Sequence, residues 1–337
     1  MVSLPIVKAS NARIPTELPA RLVAVFAGAT TGIGEATLKT FVRYAVAPRI
    51  YFLARSPSSA ERVATECREV NPKAQFEIIT ADLSSVKETD AACDVIKKKE
   101  KAVNLIVLSM GEIILDRRLS TEGLHYFMGT VYYNRIRIPQ NLLNELTTAG
   151  NTSQLARVVN IAGGTKEGDI DTSDLAALRI PFPKIRGHLA SMNTLALESL
   201  AEQAPAVTFI HDFPGAILTP LLNNVPGLMG VLMRMMGLVH WLFARWLCVP
   251  IEESGERHVY LATSGRYAPK EGNASGLELD HGAQGSEDAG GGVYTVDWDC
   301  EGPPKRVVHV LTALRKKGVK DLVWEHTTSE FERIQLG

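Results

Sequence analysis

Short apolar runs that alternate with helix-forming stretches constrain the fold of this chain more than any other feature. The first run, at residues 22–28, is LVAVFAG; it ends at a glycine and is typical of a strand covered on both faces of its sheet. A helical stretch follows it, and the alternation continues to residue 215. Strands and helices alternating at this spacing predict the α/β class, with a doubly wound parallel sheet.

The predicted elements follow one another without an internal repeat. The predicted strands lie at residues 22–28, 49–55, 74–83, 103–111, 157–164 and 206–215. The predicted helices lie at residues 34–46, 59–70, 86–100, about 121–146 and 186–203. With 337 residues and 45% hydrophobic content, the chain can bury one large core. We therefore predict an N-terminal extension at residues 1–20 and a single domain at residues 21–337, in which the glycine-rich residues 271–292 form a mobile surface loop.

Charge and cysteine content exclude several classes of protein. The net charge of −1 gives no sign of nucleic-acid binding. The four cysteines are far apart and form neither a Cys-x-x-Cys pair nor a Cys/His cluster, so we expect reduced thiols and no metal site. The first 22 residues have no long apolar run before a cleavage site, so no signal peptide is predicted. We expect a cytoplasmic protein.

A glycine-rich turn follows the first predicted strand. Its sequence is AGATTGIGEAT, and glycines there allow the backbone to turn sharply and to approach a pyrophosphate at a helix N-terminus, as in the Rossmann fold. Taken alone, three glycines also fit an ordinary tight turn, but their place after a strand favours nucleotide binding. The candidate cofactor contacts in this turn are Gly28, Thr31, Gly32, Ile33 and Gly34.

The end of the second predicted strand indicates which dinucleotide is bound. A carboxylate at that point would favour NAD, because it accepts hydrogen bonds from the ribose hydroxyls. This chain has Arg55 there, followed by Ser56, Ser58, Ser59 and Arg62. A guanidinium beside hydroxyls suits a 2′-phosphate, so we predict NADP as the cofactor. The alternative is an exposed arginine at a strand end.

These segments resemble the short-chain dehydrogenase/reductase family over residues 22–222, through the glycine turn, ADL at residues 81–83 and FPGAILTPL at residues 213–221. The resemblance implies that Asp82, with Leu83 beside it, lies at the adenine ring, and that Gly111 ends the fourth strand beside the cofactor. It also implies that a segment runs past the nicotinamide and contributes Pro214, Gly215, Ile217 and Thr219. Further pieces, among them EGLHYFMGTVYYNR, resemble a divergent branch of filamentous fungi whose members are often found among secondary-metabolite genes.

The chain departs from this family at the residues that carry its catalysis. The family's Asn-Ala-Gly is replaced by Ser109, Met110 and glycine, and its catalytic Ser corresponds to Gly163. Its Tyr and Lys correspond to His188 and Met192, and no Tyr-x-x-x-Lys occurs anywhere in the chain. In the family mechanism Tyr transfers the proton, Lys lowers the pKa of that Tyr, and Ser orients the carbonyl. All three are absent here.

Two places in the sequence offer a replacement proton donor. Tyr132 and Tyr133 fall where the family keeps an active-site Asn, and a neutral phenol donates one proton. Neighbouring residues of a helix point about 100° apart, so at most one of the pair faces the site. The alternative is that both rings pack in the core. His188 is the other candidate, since imidazole titrates near neutral pH, although a capping or surface role is the more ordinary one.

The apolar segment at residues 223–250 lies where this family has its variable substrate lid. Half of the eight methionines and two tryptophans fall in it, so we expect a bulky apolar substrate. Arg234, His240 and Arg245 interrupt the segment and argue against a membrane span. Core packing and a lid that rests on a membrane surface stay open as alternatives.

Three classes of function remain. The first is an NADP-dependent oxidoreductase that acts on a carbonyl or hydroxyl of a small molecule in fungal secondary metabolism. The second is a non-redox cyclase, isomerase or dehydratase that keeps the cofactor pocket, and the third is a catalytically silent binding protein. The intact glycine turn argues against the third class. We place the oxidoreductase first, because hydride transfer needs mainly a positioned nicotinamide and a polarised carbonyl. A homo-oligomer is compatible with the sequence.

Overall fold

A parallel sheet forms the centre of the computed structural model, which describes residues 1–111, 116–218, 248–279, 285–286 and 291–337. Within these residues the sheet has seven strands, and each pairs in parallel with its neighbours. They are β1 (Val23–Ala27), β2 (Arg49–Ala54), β3 (Gln75–Thr80), β4 (Leu105–Leu108), β5 (Arg157–Ile161), β6 (Thr208–Asp212) and β7 (Val293–Val296).

The strand order is β3-β2-β1-β4-β5-β6-β7. The chain moves outward from β1 to β3 and then crosses to the other side of β1, so the direction of winding reverses between β1 and β4. Ligands of such sheets bind in the crevice at the carboxyl ends of the strands where this reversal occurs. The prediction of an α/β fold with a doubly wound parallel sheet is confirmed. The seventh strand, β7, is an addition that the sequence pattern did not predict.

Helices cover both faces of the sheet. They are α1 (Leu4–Ala12), α2 (Ile14–Glu17), α3 (Gly32–Tyr44), α4 (Pro57–Val70), α5 (Val86–Lys99), α6 (Tyr126–Met128), α7 (Asn134–Asn141), α8 (Leu143–Thr152), α9 (Phe182–Gln203), α10 (Ile251–Thr263), α11 (Lys305–Lys316) and α12 (Val319–Leu336). A π-helical segment, Gly129–Tyr133, joins α6 to α7.

The helix predicted at about residues 121–146 begins later, at Tyr126, and is not one uniform α-helix. It is divided into α6, the π-helical segment, α7 and the beginning of α8. A Cβ at Gly129 would overlap the carbonyl oxygen of Ser84, so close packing against the β3–α5 connection accompanies the change to the wider π turn. Pro139 lies inside α7 and has no N–H to donate, and α7 ends two residues later. Tertiary contact and one proline therefore break a pattern that is helical throughout.

The core has two halves because successive side chains of a strand point to opposite faces of the sheet. Val25 and Leu108 face the half that is completed by α5, α7, α9 and α12. Phe26 and Val107 face the half that is completed by α3, α4 and α10. Both halves are fully buried, and they hold the carboxyl ends of the central strands in place.

The N-terminal extension predicted at residues 1–20 is helical and packs against α10. Val7 is buried in a cluster with Tyr260 and Tyr267. Asn11 Nδ2 donates to the Glu256 carbonyl at 2.9 Å and to its carboxylate at 2.8 Å. These contacts join the extension to the same packed body as the sheet.

Part of the predicted mobile loop at residues 271–292 lies against the core. Ala274 and Leu277 are buried, and the Leu277 amide donates to the Thr263 carbonyl at 2.8 Å. Apolar residues within a polar, glycine-rich stretch therefore anchor it. Residues 280–284 and 287–290 of this loop lie outside the described residues.

The predicted substrate lid spans residues 223–250, and residues 223–247 of it lie outside the described residues. So does Thr219, the last predicted cofactor contact. Among the helices that the structure describes, none is both long and apolar enough to cross a membrane.

Candidate active site

The glycine turn lies against the end of β4, at the crevice between β1 and β4. Gly28 has a φ of +85°, which favours glycine, and a Cβ there would overlap the backbone of Met110. A Cβ at Gly34 would overlap the side chain of Ser109 and the carbonyl of Gly28. Ser109 Oγ donates to the Gly28 carbonyl at 3.0 Å and to that of Ala27 at 3.2 Å. The serine that replaces the family's Asn therefore ties β4 to the turn.

Helix α3 begins in this turn and presents free backbone N–H groups to it. It begins at Gly32, whose φ is +63°, and Thr31 is its extended N-cap residue, which makes no side-chain cap hydrogen bond. Thr31 is exposed, and Ile33 is half-buried against the core. Unpaired N–H groups at a helix N-terminus attract phosphate, so this end fits a pyrophosphate.

Arg55 is exposed at the end of β2, immediately before the N-terminus of α4. Ser56 caps α4 by accepting the Ser59 amide at 3.3 Å, and its hydroxyl lies 3.1 Å from that of Ser58. Arg62 turns away from this group, since it donates to the Thr30 carbonyl at 2.9 Å and pairs with acidic side chains of α3 and α4. The predicted arginine–serine cluster therefore consists of Arg55 and the three serines.

The side chain of Asp82 closes the β3–α5 connection. Its carboxylate accepts the amide of Ser84 at 3.0 Å and the hydroxyl of Ser84 at 2.9 Å. The carbonyl of the next residue, Leu83, accepts Asn134 Nδ2 at 3.0 Å. These bonds place the backbone of the ADL segment beside the π-helical segment and α7.

A buried guanidinium lies at the carboxyl ends of β4 and β5. Arg135 Nη1 donates to Asn160 Oδ1 at 2.6 Å and to the Ile161 carbonyl at 2.8 Å, while its Nη2 donates to the Met110 carbonyl. A Cβ at Gly111 would lie 3.6 Å from Nη2, and beyond its chain neighbours it would meet no other atom of the described residues within 4 Å. Desolvation lowers the pKa of Arg135 to about 9. The sequence pattern gave no sign of this residue, because arginines rarely face a core.

A second buried polar group lies behind Gly163, where the family has its catalytic serine. The Gly163 amide donates to His211 Nε2 at 3.1 Å, so the imidazole proton is on Nδ1, which faces Thr194 Oγ1 at 2.8 Å. Thr194 and Thr295 both donate to Glu167 Oε1, at 2.8 and 2.6 Å. Burial by itself would raise the pKa of Glu167, but these hydrogen bonds and His211 outweigh it and lower the pKa. The network holds the loop after β5 against β6 and β7.

The predicted donor His188 lies under the loop that precedes α9. Its Nδ1 accepts the Asp171 amide at 3.2 Å, so its proton is on Nε2, which has no hydrogen-bond partner among the described residues. The side chain is 1% exposed, and burial lowers its pKa. Met192, one turn later, is fully buried in the core.

Tyr132 and Tyr133 both contact the C-terminal helix α12. The hydroxyl of Tyr132 lies 2.5 Å from Thr327 Oγ1, and that of Tyr133 lies 2.8 Å from His326 Nε2. Both side chains are fully buried, and burial raises the pKa of both phenols. The centres of the two rings lie 5.2 Å apart in an edge-to-face arrangement. The two side chains therefore point to the same side, unlike neighbouring residues of an α-helix. This geometry favours the packing alternative for both.

The segment after β6 begins with an aromatic ring between two cations. Lys166 Nζ lies 4.4 Å from the centre of the Phe213 ring, and the guanidinium carbon of Arg186 lies 4.7 Å from it. Lys166 also pairs with Asp297 at 2.7 Å. These cations at the carboxyl ends of the strands were not predicted.

Glycine is also required two residues further along this segment. Gly215 follows Pro214 with a φ of +83°, and a Cβ there would lie 3.0 Å from the Trp298 side chain. Ile217 is half-buried. The turn therefore directs the chain across the end of the sheet.

The predicted residues thus divide into two groups. Gly28, Gly34 and Gly111 lie together at the crevice between β1 and β4. The other predicted cofactor contacts among the described residues lie just after the ends of the neighbouring strands. The three predicted proton donors are instead engaged with α12 or with the loop before α9. The glycine turn, which places the N-terminus of α3 at this crevice, fits the pyrophosphate of a nicotinamide dinucleotide.

Comparison with known proteins agrees with this geometry. The short chain dehydrogenase family model matches residues 22–134. The chain is 35% identical over 336 residues to oxidoreductase AN1596 of Emericella nidulans, with 98% of each chain covered. It is 28% identical to short-chain dehydrogenase/reductase SAT2 of Stachybotrys chartarum, over 99% of this chain and 98% of the relative.

A solved structure supports the fold. The NADPH-bound carbonyl reductase from chicken fatty liver superposes with a TM-score of 0.54 at 13% identity, covering 84% of this chain and 99% of the reductase. The predicted family resemblance is confirmed by the relatives and the fold together. The chain belongs to the short-chain dehydrogenase/reductase family and is an oxidoreductase of that type.

Proposed function

We propose that this protein is an NADP-dependent oxidoreductase that acts on a carbonyl or hydroxyl of a bulky apolar small molecule in fungal secondary metabolism. The observation that carries the proposal is the packing of the glycine turn against β4. Side chains at Gly28 and Gly34 would overlap Met110 and Ser109, so only glycine lets the turn and the N-terminus of α3 lie this close to β4, at the crevice where doubly wound sheets bind ligands.

The choice of NADP rests on the end of β2. Arg55 is exposed next to the N-terminus of α4, where Ser56 and Ser58 place their hydroxyls 3.1 Å apart. A guanidinium, hydroxyls and helix N–H groups together suit a 2′-phosphate dianion. The NADPH bound by the structurally similar chicken carbonyl reductase is consistent with this choice.

The substrate class rests on sequence and on relatives. The methionine- and tryptophan-rich segment at residues 223–250 suits an apolar molecule. The fungal oxidoreductases that align along the whole chain are consistent with a role in fungal metabolism. Binding of a small-molecule substrate, a peripheral membrane contact through the lid, a homo-oligomer and a cytoplasmic location are parts of the proposal that rest on sequence alone.

In this proposal the cofactor supplies the hydride, and the chain binds, orients and protects the reacting groups. Tyr132, Tyr133 and His188 are not assigned the proton transfer, because their polar atoms are buried against α12 or the loop before α9. Water supplies the proton instead. Losing a positioned acid costs about 10²–10⁴ in rate, which slows hydride transfer without preventing it.

A fluorescence titration tests the proposal. We expect NADPH emission to change on binding to the protein, and the bound NADPH to be oxidised when an apolar aromatic ketone or quinone is added. Tight NADPH binding without oxidation by any carbonyl in a panel would favour the non-redox enzyme. Absence of binding by both NADPH and NADH would contradict the proposal.

A further inference from the structure

We propose that Arg135 is the electrostatic centre of the site: its guanidinium stabilises the negative charge that develops on the substrate oxygen. The inference rests on the proposed function, which it deepens by assigning a residue and a role. The substrate class is then a carbonyl compound whose oxygen reaches the space above Gly111.

The position of Arg135 is the first observation. Its hydrogen bonds to the Met110 and Ile161 carbonyls place the guanidinium between the ends of β4 and β5, and Met110 lies against Gly28 of the cofactor turn. Nη2 would lie 3.6 Å from a Cβ at Gly111, and among the described residues no other atom comes within 4 Å of that position beyond the glycine's chain neighbours. The cation therefore faces the crevice where β1 and β4 separate.

The charge of Arg135 is the second observation. Among the described residues no carboxylate lies within ion-pair distance of this side chain, which is 4% exposed. A buried charge without a counter-ion is unfavourable, and desolvation lowers the pKa of Arg135 to about 9. An anion that forms in the crevice would offset that cost, so the site stabilises the charged product of hydride transfer more than the neutral substrate.

A second buried arginine, Arg157 of β5, shows what an arginine that only caps backbone carbonyls looks like. Arg157 donates to the Leu261 and Ser264 carbonyls, at and just beyond the end of α10, and to that of Tyr267. Carbonyls at a helix C-terminus carry partial negative charge that stabilises a cation. Arg135 contacts no such C-terminal helix end: its Nε donates to the Thr130 carbonyl of the π-helical segment at 3.2 Å, and its other bonds go to the ends of β4 and β5. The guanidinium of Arg135 lies beside the carboxyl end of β5, whereas Arg157 is the first residue of β5 and lies at its other end.

The other polar side chains near these strand ends are already engaged. Tyr132 and Tyr133 bond to α12, and Lys166 pairs with Asp297. Of these described groups, only Arg135 combines a buried positive charge with a position beside Gly111.

The step conserves atoms and electrons. The carbonyl carbon of the substrate accepts a hydride from the reduced nicotinamide dinucleotide, which is oxidised. The C=O π pair moves to the oxygen, which becomes an alkoxide beside Arg135. Water then protonates the alkoxide and leaves hydroxide, which buffer neutralises. Arg135 keeps its protons throughout and acts by charge.

The first experiment separates charge from packing. Arg135→Met removes the charge and Arg135→Lys keeps it, while both lose the fork of hydrogen bonds. NADPH and phenanthrenequinone serve as the carbonyl probe. We expect kcat to fall about 10²–10³-fold in Arg135→Met, which is the usual contribution of one positioned electrostatic group. In Arg135→Lys, which keeps the charge, kcat should fall less than about tenfold. NADPH Kd, measured by fluorescence, should change less than about threefold in both.

Arg157→Met is the matched control. It removes a guanidinium that is equally buried and bonded to carbonyls, at the other end of β5. We expect it to lower the unfolding midpoint as much as Arg135→Met does, with kcat of the folded protein within about twofold of wild type. An unchanged kcat in Arg135→Met, or an equal fall in kcat in the Met variants of both arginines, would overturn the inference.

A second measurement on the wild-type protein decides the question if the variants do not fold or the probe is not reduced. Benzoate imitates the charge of the alkoxide, and benzamide has the same shape without the charge. Calorimetry on the complex with NADP⁺ should give benzoate a Kd at least about tenfold below that of benzamide. The same difference is expected in Arg186→Met, a control that removes the exposed cation of Arg186. Equal Kd values would overturn the inference alone, whereas failure of the protein to bind NADPH would overturn the proposed function with it.

Discussion

The hydroxyl of Tyr133 lies 2.8 Å from His326 Nε2, which joins the π-helical segment to the last helix of the chain. This contact spans 193 residues of sequence and joins the fully buried Tyr133 to the half-buried His326. It directs the phenol toward α12, although the sequence pattern places Tyr133 among the candidates for proton transfer. The same helix receives the hydroxyl of Tyr132 through Thr327.

Both tyrosine hydroxyls are therefore expected to contribute to stability and not to catalysis. Tyr132→Phe and Tyr133→Phe should each lower the free energy of unfolding by about 0.5–1.5 kcal/mol, because each removes one hydrogen bond to α12. Urea unfolding and kcat with NADPH measure the two effects. Tyr126→Phe, in the short helix just before this segment, is the control. A fall in kcat of about 10² or more in either variant, with NADPH binding intact, would restore that tyrosine as the proton donor.

Cofactor affinity should depend on the close packing of the turn at Gly34. Gly34→Ala would bring a methyl group against Ser109 and the Gly28 carbonyl, so the turn must open. We expect the NADPH Kd to rise at least about tenfold, which corresponds to a loss of about 1.4 kcal/mol. Gly163→Ala is the control, because its Cβ would lie 3.4 Å from that of Ala190, an ordinary contact. Equal NADPH Kd values for the two variants would show that the turn does not bind the cofactor.

Discrimination between NADPH and NADH should depend on Arg55. Loss of a bidentate Arg–phosphate contact costs about 1.5–3 kcal/mol, so Arg55→Ala should weaken NADPH binding about 10- to 100-fold and leave NADH binding unchanged. Arg62→Ala is the comparison. Since Arg62 bonds to the Thr30 carbonyl and to acidic side chains, we expect a smaller effect that is equal for both dinucleotides. An NADPH affinity that survives Arg55→Ala would remove the basis for NADP preference.

Restoring the family residues should not restore their chemistry. Met192 is fully buried in the core, so Met192→Lys places an ammonium group there without a partner. We expect His188→Tyr with Met192→Lys to lower the melting temperature and to give no gain in kcat, because position 163 has no hydroxyl. Differential scanning fluorimetry and NADPH oxidation measure both. A rise in kcat of tenfold or more would show that the ancestral geometry is retained.

Buried histidines should make the fold sensitive to mild acid. Burial lowers the pKa values of His125, His188 and His326 below the usual 6.5. The unfolded chain therefore binds more protons below pH 6.5, so this part of the stability is present above pH 6.5 and is lost as the pH falls below it. His188→Asn, which keeps an acceptor for the Asp171 amide, should reduce the loss between pH 7 and pH 5 in urea unfolding. An identical pH dependence would mean that His188 does not titrate in this range.

The local sequence determined the strands, most of the helices and the glycine turn, since apolar periodicity and the conformational freedom of glycine act over a few residues. It also determined the absence of the usual Ser, Tyr and Lys, which is a matter of residue identity at Gly163, His188 and Met192. These features were enough to predict the fold class and the family.

Only the tertiary structure decided which polar side chains face the crevice. Tyr132 and His188 looked available by position, but α12 and the loop before α9 bury them, through contacts 195 and 17 residues away in sequence. Arg135 looked like an ordinary basic residue, yet the π-helical segment and the ends of β4 and β5 enclose it. Side-chain direction depends on which elements pack together, and no local pattern encodes that, because the free energy of burying a charge or a phenol is set by the whole surrounding core.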